Sequence, residues 1–525
     1  MTLRRPTDRS PARRRLARRV TALIVAFGAA VALAGAPAPA RAADDPLGPL
    51  APVTGLLTGL PSDLQAMADA YGRITGPNGQ LQNPAYLPAL VQQSTAGSIE
   101  SLRNLAASPT RPSLTGGALV PGFNVGNPLR AGWNGTRGIE TKVAFTNRYG
   151  ALLRGTVYSP KPGARDPYTG EVLRGPFPGV VLTPGSVQGS SGMYTWLGQD
   201  LAERGFVVLV YDVQGQGLSE TLPHESGSNL PLCFPIAAAK PLELSGCPGV
   251  PFQQPANFIY GTLDATDFFF STPTAPYANP LRGSAKVDAF NPLWPSFDRT
   301  PLARPTAPGR TAKFAIIGHS LGAFAVSYVQ SIDPRVSTVV ALDKLGSGGS
   351  GLLNAAAPIP PSTPKVPALG VHAEYGFTVA PAILGANSLT PGLSLKDDPQ
   401  RELKPGYQNW TGAGQDTMVV VPRSSTHLDF TDIPLVLPAS RYGQALTSVY
   451  TQAWLARWLK GAPVAPLLAE RFSYLEPAGN GVWTPITLDR TGLLSRRFCS
   501  AYRLTDAGSV RADGDVNKVT PAAGC

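Results

Sequence analysis

Between Glu140 and Lys460, short apolar runs alternate with stretches of helical length. The first two runs, TKVAFTN and LLRGTVYS, are joined at Arg148 to Gly150 by a turn, which reads as a hairpin. The order then becomes PGVVLTPG (strand), GMYTWLGQDLAERG (helix), FVVLVYDV (strand), FIYGTLDATDFFF (helix), KFAIIG (strand) and LGAFAVSYVQSI (helix). VSTVVALD, PALGVHAE and TMVVVP follow as strands, and RYGQALTSVYTQAWLARWLKG closes the series as a helix. Continuous apolar strands alternating with helices predict an α/β fold: a mostly parallel central sheet with helices on both faces. Two insertions, 214–256 and 377–415, interrupt the pattern beside the carboxyl ends of strands, where such sheets bind ligands. We divide the chain into a Pro- and Leu-rich N-terminal leader (43–127), a core of 128–464 and a polar C-terminal extension (465–525). There is no internal repeat.

The ends change the reading of charge. The chain of 525 residues carries a formal +11, but its first 42 residues hold nine arginines and one aspartate, a net of +8. That segment has an arginine-rich start, the apolar run VTALIVAFGAAVALAGA and an A-x-A site at Ala40, Arg41 and Ala42, so residues 1–42 are expected to be a signal peptide. A mature chain starting at Ala43 would carry about +3, which removes the main support for a nucleic-acid partner. No other apolar stretch is long enough to span a bilayer. The expected location is therefore secreted. The four cysteines fit an oxidising compartment, and their spacing favours two local bridges, Cys233 with Cys247 and Cys499 with Cys525, over a zinc site.

Gly318, His319, Ser320, Leu321 and Gly322 spell G-x-S-x-G between a predicted buried strand and a predicted helix. That context is what a nucleophile elbow requires, because the serine must sit on a strained strand-to-helix turn with its hydroxyl exposed. A serine hydroxyl needs a base, and the base needs an orienting acid. Of the four histidines, His319 lies in the elbow, His372 in a predicted strand and His224 in the first insertion. His427 follows TMVVVP in the loop RSSTHLDF, near the carboxyl edge and after the serine, as the order Ser…acid…His demands. Two acids remain open: Asp343, ending VSTVVALD, and Glu374, after PALGVHAE.

The segments GHSLGAF, ALDKLG, HAEYGF and RSSTHLDFTD resemble the plasma-type platelet-activating-factor acetylhydrolases of the α/β-hydrolase superfamily. Bacterial cutinases and dienelactone-hydrolase-like proteins are similar more loosely, over PGVVLTPGSVQGSSGMYTWLGQDLAERGFVV. The first resemblance implies an α/β-hydrolase fold and the triad Ser320, Asp343 and His427, with Glu374 the alternative acid. Cutinases place the acid after the later strand, where this chain has Gly376 and Phe377. For the oxyanion, the superfamily pattern implies the backbone N–H of Leu321 and of Ser186 in TPGSVQG. The expected activity is hydrolysis of a carboxylic ester or lipid through an acyl-enzyme, with neither metal nor cofactor. A secreted acyltransferase with the same triad, a non-catalytic binding protein on this scaffold and a prolyl-oligopeptidase-type peptidase are the competing readings, the last weakened by a leader too short for a propeller. Asp513, Asp515 and Asn517 are spaced like part of a calcium loop but lack its glycine and terminal glutamate, so a solvated turn is expected there. The N-x-T sites at Asn134 and Asn409 matter only in a glycosylating pathway.

Overall fold

In the computed structural model, residues 80–107, 125–186, 189–221, 255–279, 287–346, 362–375, 398–404, 406–432, 441–517 and 525 are described. The hairpin forms as β1 (Gly138–Thr146) and β2 (Leu152–Pro160), paired antiparallel with Gly138 opposite Pro160. The later apolar runs become β3 (Gly179–Thr183), β4 (Val207–Tyr211), β5 (Phe314–His319), β6 (Thr338–Leu342), β7 (Ala368–Val371) and β8 (Thr417–Val420). Beyond them lie β9 (Arg471–Gly479), β10 (Val482–Asp489), β11 (Ala501–Asp506) and β12 (Ser509–Asp513). Ten of these make one sheet in the order β1-β2-β4-β3-β5-β6-β7-β8-β11-β12, while β9 and β10 pair separately. From β4 to β8 every neighbouring pair is parallel, and β2 and β11 run against their neighbours. This is an α/β fold with a mostly parallel sheet, consistent with the α/β-hydrolase architecture.

The helices are α1 (Tyr86–Ala107), α2 (Thr195–Glu203), α3 (Pro255–Phe270), α4 (Leu321–Ile332), α5 (Gly406–Gly412), α6 (Arg441–Lys460), α7 (Ala465–Leu468) and α8 (Arg490–Leu493). Successive strand side chains point to opposite faces. On one face Leu182, Val210, Ile317, Leu342 and Val420 pack with Trp196 and Leu197 of α2 and with Tyr450 and Trp454 of α6. On the other, Val181, Leu209, Ile316, Val339 and Ala341 pack with Phe258 and Phe268 of α3 and with Val326 and Val329 of α4. Both faces are covered. That is why the strands read as unbroken apolar runs instead of alternating ones.

The C-terminal extension is more than a polar tail. Tyr474, Leu488, Leu494 and Leu504 join the main apolar cluster, and β11 extends the sheet by pairing Ala501 with Val419. Within the second insertion, α5 turns residues 406–412 into helix, with Trp410 buried and donating Nε1–H to the Val366 carbonyl at 2.9 Å. The calcium-like turn is only partly solvated: Asp513 is half-buried, whereas Asp515 and Asn517 are buried, and Asp515 Oδ1 accepts the N–H of Ser500 and of Asn517. Among the described residues, no helix is long and apolar enough to cross a membrane. The expected signal peptide, most of the leader, His224 and the expected pair Cys233 and Cys247 lie outside the described residues.

Cys499 and Cys525 form a disulfide across 26 positions. It ties Cys525 to the segment just before β11, which pairs with β8 through Ala501 and Val419, and Cys499 N–H donates to the Pro399 carbonyl at 2.8 Å. Removing the crosslink with Cys525→Ser should lower the unfolding free energy by about 3 kcal/mol, the loop-closure entropy expected for such a span. Urea titration checks this, and an unchanged midpoint would count against a stabilising role.

Candidate active site

Ser320 stands between β5 and α4 with φ 56° and ψ −121°, a region that non-glycine residues adopt only when their surroundings force it. The forcing is steric. A Cβ on Gly318 would overlap the Gly322 carbonyl, and one on Gly322 would overlap the carbonyls of Thr183 and Pro184, so both glycines are required where the elbow crosses the end of β3. The Ser320 N–H is held by the Leu342 carbonyl at 2.9 Å, fixing the turn to β6. Leu321 opens α4, where backbone N–H groups have no intrahelical acceptor and the helix dipole is positive.

Asp343 follows β6 at φ 39°, and its N–H donates to the Val371 carbonyl at 2.9 Å. Its Oδ2 meets Nδ1 of His427 at 2.7 Å, and its Oδ1 accepts the Ala373 N–H at 3.3 Å. Both side chains are buried. A carboxylate only accepts, so Nδ1 carries a hydrogen and, in the neutral ring, Nε2 presents its lone pair. Glu374 is engaged elsewhere. Its carboxylate accepts Ser424 N–H at 2.5 Å and Ser495 Oγ–H at 2.6 Å, and its own N–H donates to Ser425 Oγ at 2.9 Å. It therefore anchors the loop that carries His427, and Asp343 is the carboxylate paired with the imidazole.

The same loop is held from the C-terminal side. Arg423 N–H donates to the Leu493 carbonyl at 2.7 Å, and Val421 N–H to Ser500 Oγ at 3.0 Å. Behind Asp343, Leu345 N–H donates to His372 Nε2 at 3.0 Å, while Lys344 lies 3.4 Å from Glu402. Burial opposes ionisation of Glu402, but Lys344, Arg401 and His372 outweigh it and hold its carboxyl well below the usual range. His372 is thus a structural residue.

His319 joins three loops. Its Nε2 lies 2.9 Å from the His427 carbonyl, which can only accept, so Nε2 carries the hydrogen. Its Nδ1 then accepts from the Tyr194 hydroxyl at 2.7 Å, and that oxygen accepts the Gly185 N–H at 2.9 Å. Burial, followed by the neighbouring His427, pushes the His319 pKa far down, so the ring stays neutral. The rings of His319 and His427 sit 4.6 Å apart, with Phe430 beyond. Gly185 and Ser186 follow β3 directly above the elbow: a Cβ at Gly185 would lie 3.0 Å from Ser320 Cβ. The structure thus brings Ser320, Leu321, Gly318, Gly322, Asp343, His427 and the Ser186 loop to one edge of the sheet. Among the described residues, no group of three or more His, Cys, Asp or Glu gathers as a metal would need.

Two residues of this site carried no sequence signal. Tyr194 lies inside the helical segment GMYTWLGQDLAERG and Gln216 at the start of the insertion 214–256, and neither belongs to a motif. Gln216 is fully buried and donates both hydrogens of Nε2, to the carbonyls of Gly185 (2.8 Å) and Gly189 (2.9 Å). Asp212, at the end of β4, ties the two neighbouring loops together by accepting N–H from Ser191 and from Leu218.

No protein-family model matches the chain. It is similar to an uncharacterized protein of Pseudomonas aeruginosa, 33% identical over 133 residues, a stretch covering 24% of this chain and 33% of that protein. The match therefore spans about a third of the relative's length.

Burial raises the Asp212 carboxyl from 3.8 to about 6, against the opposing pull of the Leu218 and Ser191 N–H groups. Between those values the folded state holds a proton that the unfolded chain has lost, so this group's contribution to stability falls as pH rises from about 4 to about 6. Asp212→Asn forfeits an acceptor and should be less stable overall, yet it removes that slope. Its melting temperature, relative to wild type, should rise between pH 4 and pH 7; a constant difference would show that Asp212 ionises normally.

Proposed function

We propose that the protein is an exported serine hydrolase that cleaves carboxylic esters through an acyl-Ser320 intermediate. The observation that supports it most is the 2.7 Å pair of Asp343 Oδ2 with His427 Nδ1 at the same sheet edge as Ser320 on its strained turn. Ser320 Oγ attacks the ester carbonyl as His427 Nε2 takes its proton. The oxygen that becomes negative is received by the N–H groups of Leu321 and Ser186. Collapse breaks the bond to the alcohol, which leaves with the proton from His427. Water, deprotonated by His427, then attacks the acyl-serine and releases the acid with Ser320 restored. Asp343 keeps the imidazole in the tautomer that accepts at Nε2 and stabilises the imidazolium.

Export fits the signal-like N-terminus and the Cys499–Cys525 bridge. A chain-length series of p-nitrophenyl esters, run beside phospholipid and polyester substrates, identifies the acyl group, and added glycerol separates hydrolysis from acyl transfer to an alcohol. Failure of the wild type to react with a fluorophosphonate would favour a binding protein on this scaffold.

Ser320→Ala should abolish ester turnover while leaving the melting temperature close to wild type. Asp343→Asn should lower kcat by up to roughly 10⁴-fold, as for buried triad acids in general. Glu374→Gln should cost far less in kcat but reduce stability, because a carboxylate accepting two hydrogen bonds becomes an amide with one acceptor. A crippling Glu374→Gln beside an active, folded Asp343→Asn would move the acid to the later strand.

A further inference from the structure

To receive an oxyanion, the N–H of Ser186 must point in a fixed direction before substrate arrives. Ser186 lies in a short connection after β3, and such a peptide would rotate freely unless something gripped it. Its peptide plane contains the Gly185 carbonyl, and in a trans peptide the C=O and N–H vectors are opposed. Whatever holds the Gly185 carbonyl therefore aims the Ser186 N–H the other way.

Gln216 holds it. The amide donates one hydrogen to the Gly185 carbonyl at 2.8 Å and the other to the Gly189 carbonyl at 2.9 Å. The reverse orientation would set Oε1 against two carbonyl oxygens, so the amide has one stable setting. The Gly189 contact closes the loop on itself, because a Cβ there would overlap the Gly185 carbonyl. The other side of Gly185 is gripped as well, its N–H by the Tyr194 hydroxyl at 2.9 Å.

Gln216 in turn belongs to a rigid support. Its N–H donates to the Val213 carbonyl at 2.9 Å, and its carbonyl accepts the Ser219 N–H at 2.9 Å. Ser219 Oγ donates to the Asp212 carbonyl at 2.7 Å, and Leu218 N–H to Asp212 Oδ2 at 2.8 Å. Gly217, at φ 52°, leaves no room for a Cβ beside the Asp212 carboxylate. A buried amide fixed on a turn of this kind is a poor choice for packing alone, since its Oε1 is buried without a partner among the described residues.

We propose that Gln216 is a positioning residue for the oxyanion site: its two Nε2 hydrogens fix the Gly185–Ser186 peptide so that the Ser186 N–H meets the negative oxygen formed on the ester. This rests on the serine-hydrolase reading. Gln216 touches no reacting atom, and its effect falls on the transition state more than on substrate binding.

The test uses the full mature chain with a p-nitrophenyl ester and a trifluoromethyl ketone, which forms a tetrahedral adduct on an active serine. Gln216→Met keeps length and volume but removes both donors. Its kcat should fall on the order of 10²-fold, the loss typical of a small misplacement in a preorganised site. KM should stay within about twofold, the pattern of an interaction made only in the transition state. Inhibition by the ketone should weaken by the same factor as kcat, a parallel that a loss of structural integrity alone would not produce.

Gln216→Glu provides an independent measurement, and decides the matter if the methionine variant does not fold. The introduced carboxyl can donate one hydrogen bond when protonated but repels both carbonyls when ionised. Its activity relative to wild type should therefore decline as pH rises through its titration. A folded Gln216→Met with wild-type kcat and ketone affinity, or a Gln216→Glu whose relative activity ignores pH, overturns the inference while Ser320-dependent turnover by the wild type still stands. A wild type without Ser320-dependent turnover removes the hydrolase reading and this inference together.

Discussion

The close crossing of α4 over the end of β3 is the constraint on which the site depends. Gly318 and Gly322 have no room for a side chain, and the crossing leaves Ser320 in a backbone region it would not choose. Such a conformation costs on the order of 1–3 kcal/mol and persists only where its surroundings over-determine it. Here they do: the Ser320 N–H is bound to β6, and strands with apolar side chains on both faces hold β3, β5 and β6 in parallel register.

Around that turn several buried polar groups are joined in one hydrogen-bonded network. His319 links the β3 loop, the elbow and the His427 loop through one neutral ring, and Glu374 ties the His427 loop to Ser495. Buried donors and acceptors are costly when unpaired, so a network of this kind makes alternative loop positions unfavourable. Rigidity in the loops, in addition to the sheet, is what a site built on connecting segments requires.

The C-terminal extension takes part in the same economy of fixed loops. Residues 490–501 run beside β8 and reach Val421 and Arg423, a few positions before His427. Arg401 lies 3.8 Å over the Phe498 ring and donates to the Glu374 carbonyl, joining the second insertion to this segment. An element distant in sequence thus helps to position the loop of His427, the residue that takes the proton in the proposed chemistry.

Strands β1 to β8, helices α2, α3, α4 and α6, and the elbow were legible in the sequence because each has a local cause. Doubly covered strands demand apolar runs, α4 needs an apolar face, and the turn at Ser320 needs glycines two positions to either side. The choice between Asp343 and Glu374 was not legible from periodicity, since both follow strands whose ends meet at one edge. The fold separates the two carboxylates, turning Glu374 toward Ser424 and Ser495 and pairing Asp343 with His427. Tyr194, Gln216 and the strands of the extension were equally hidden. Each acts through contacts with residues far away in the chain, such as Tyr194 with His319 or Ala501 with Val419, and hydrogen-bond partners separated by tens to hundreds of positions leave no periodic trace. The local pattern determined which elements form, and the tertiary structure decided which polar groups meet.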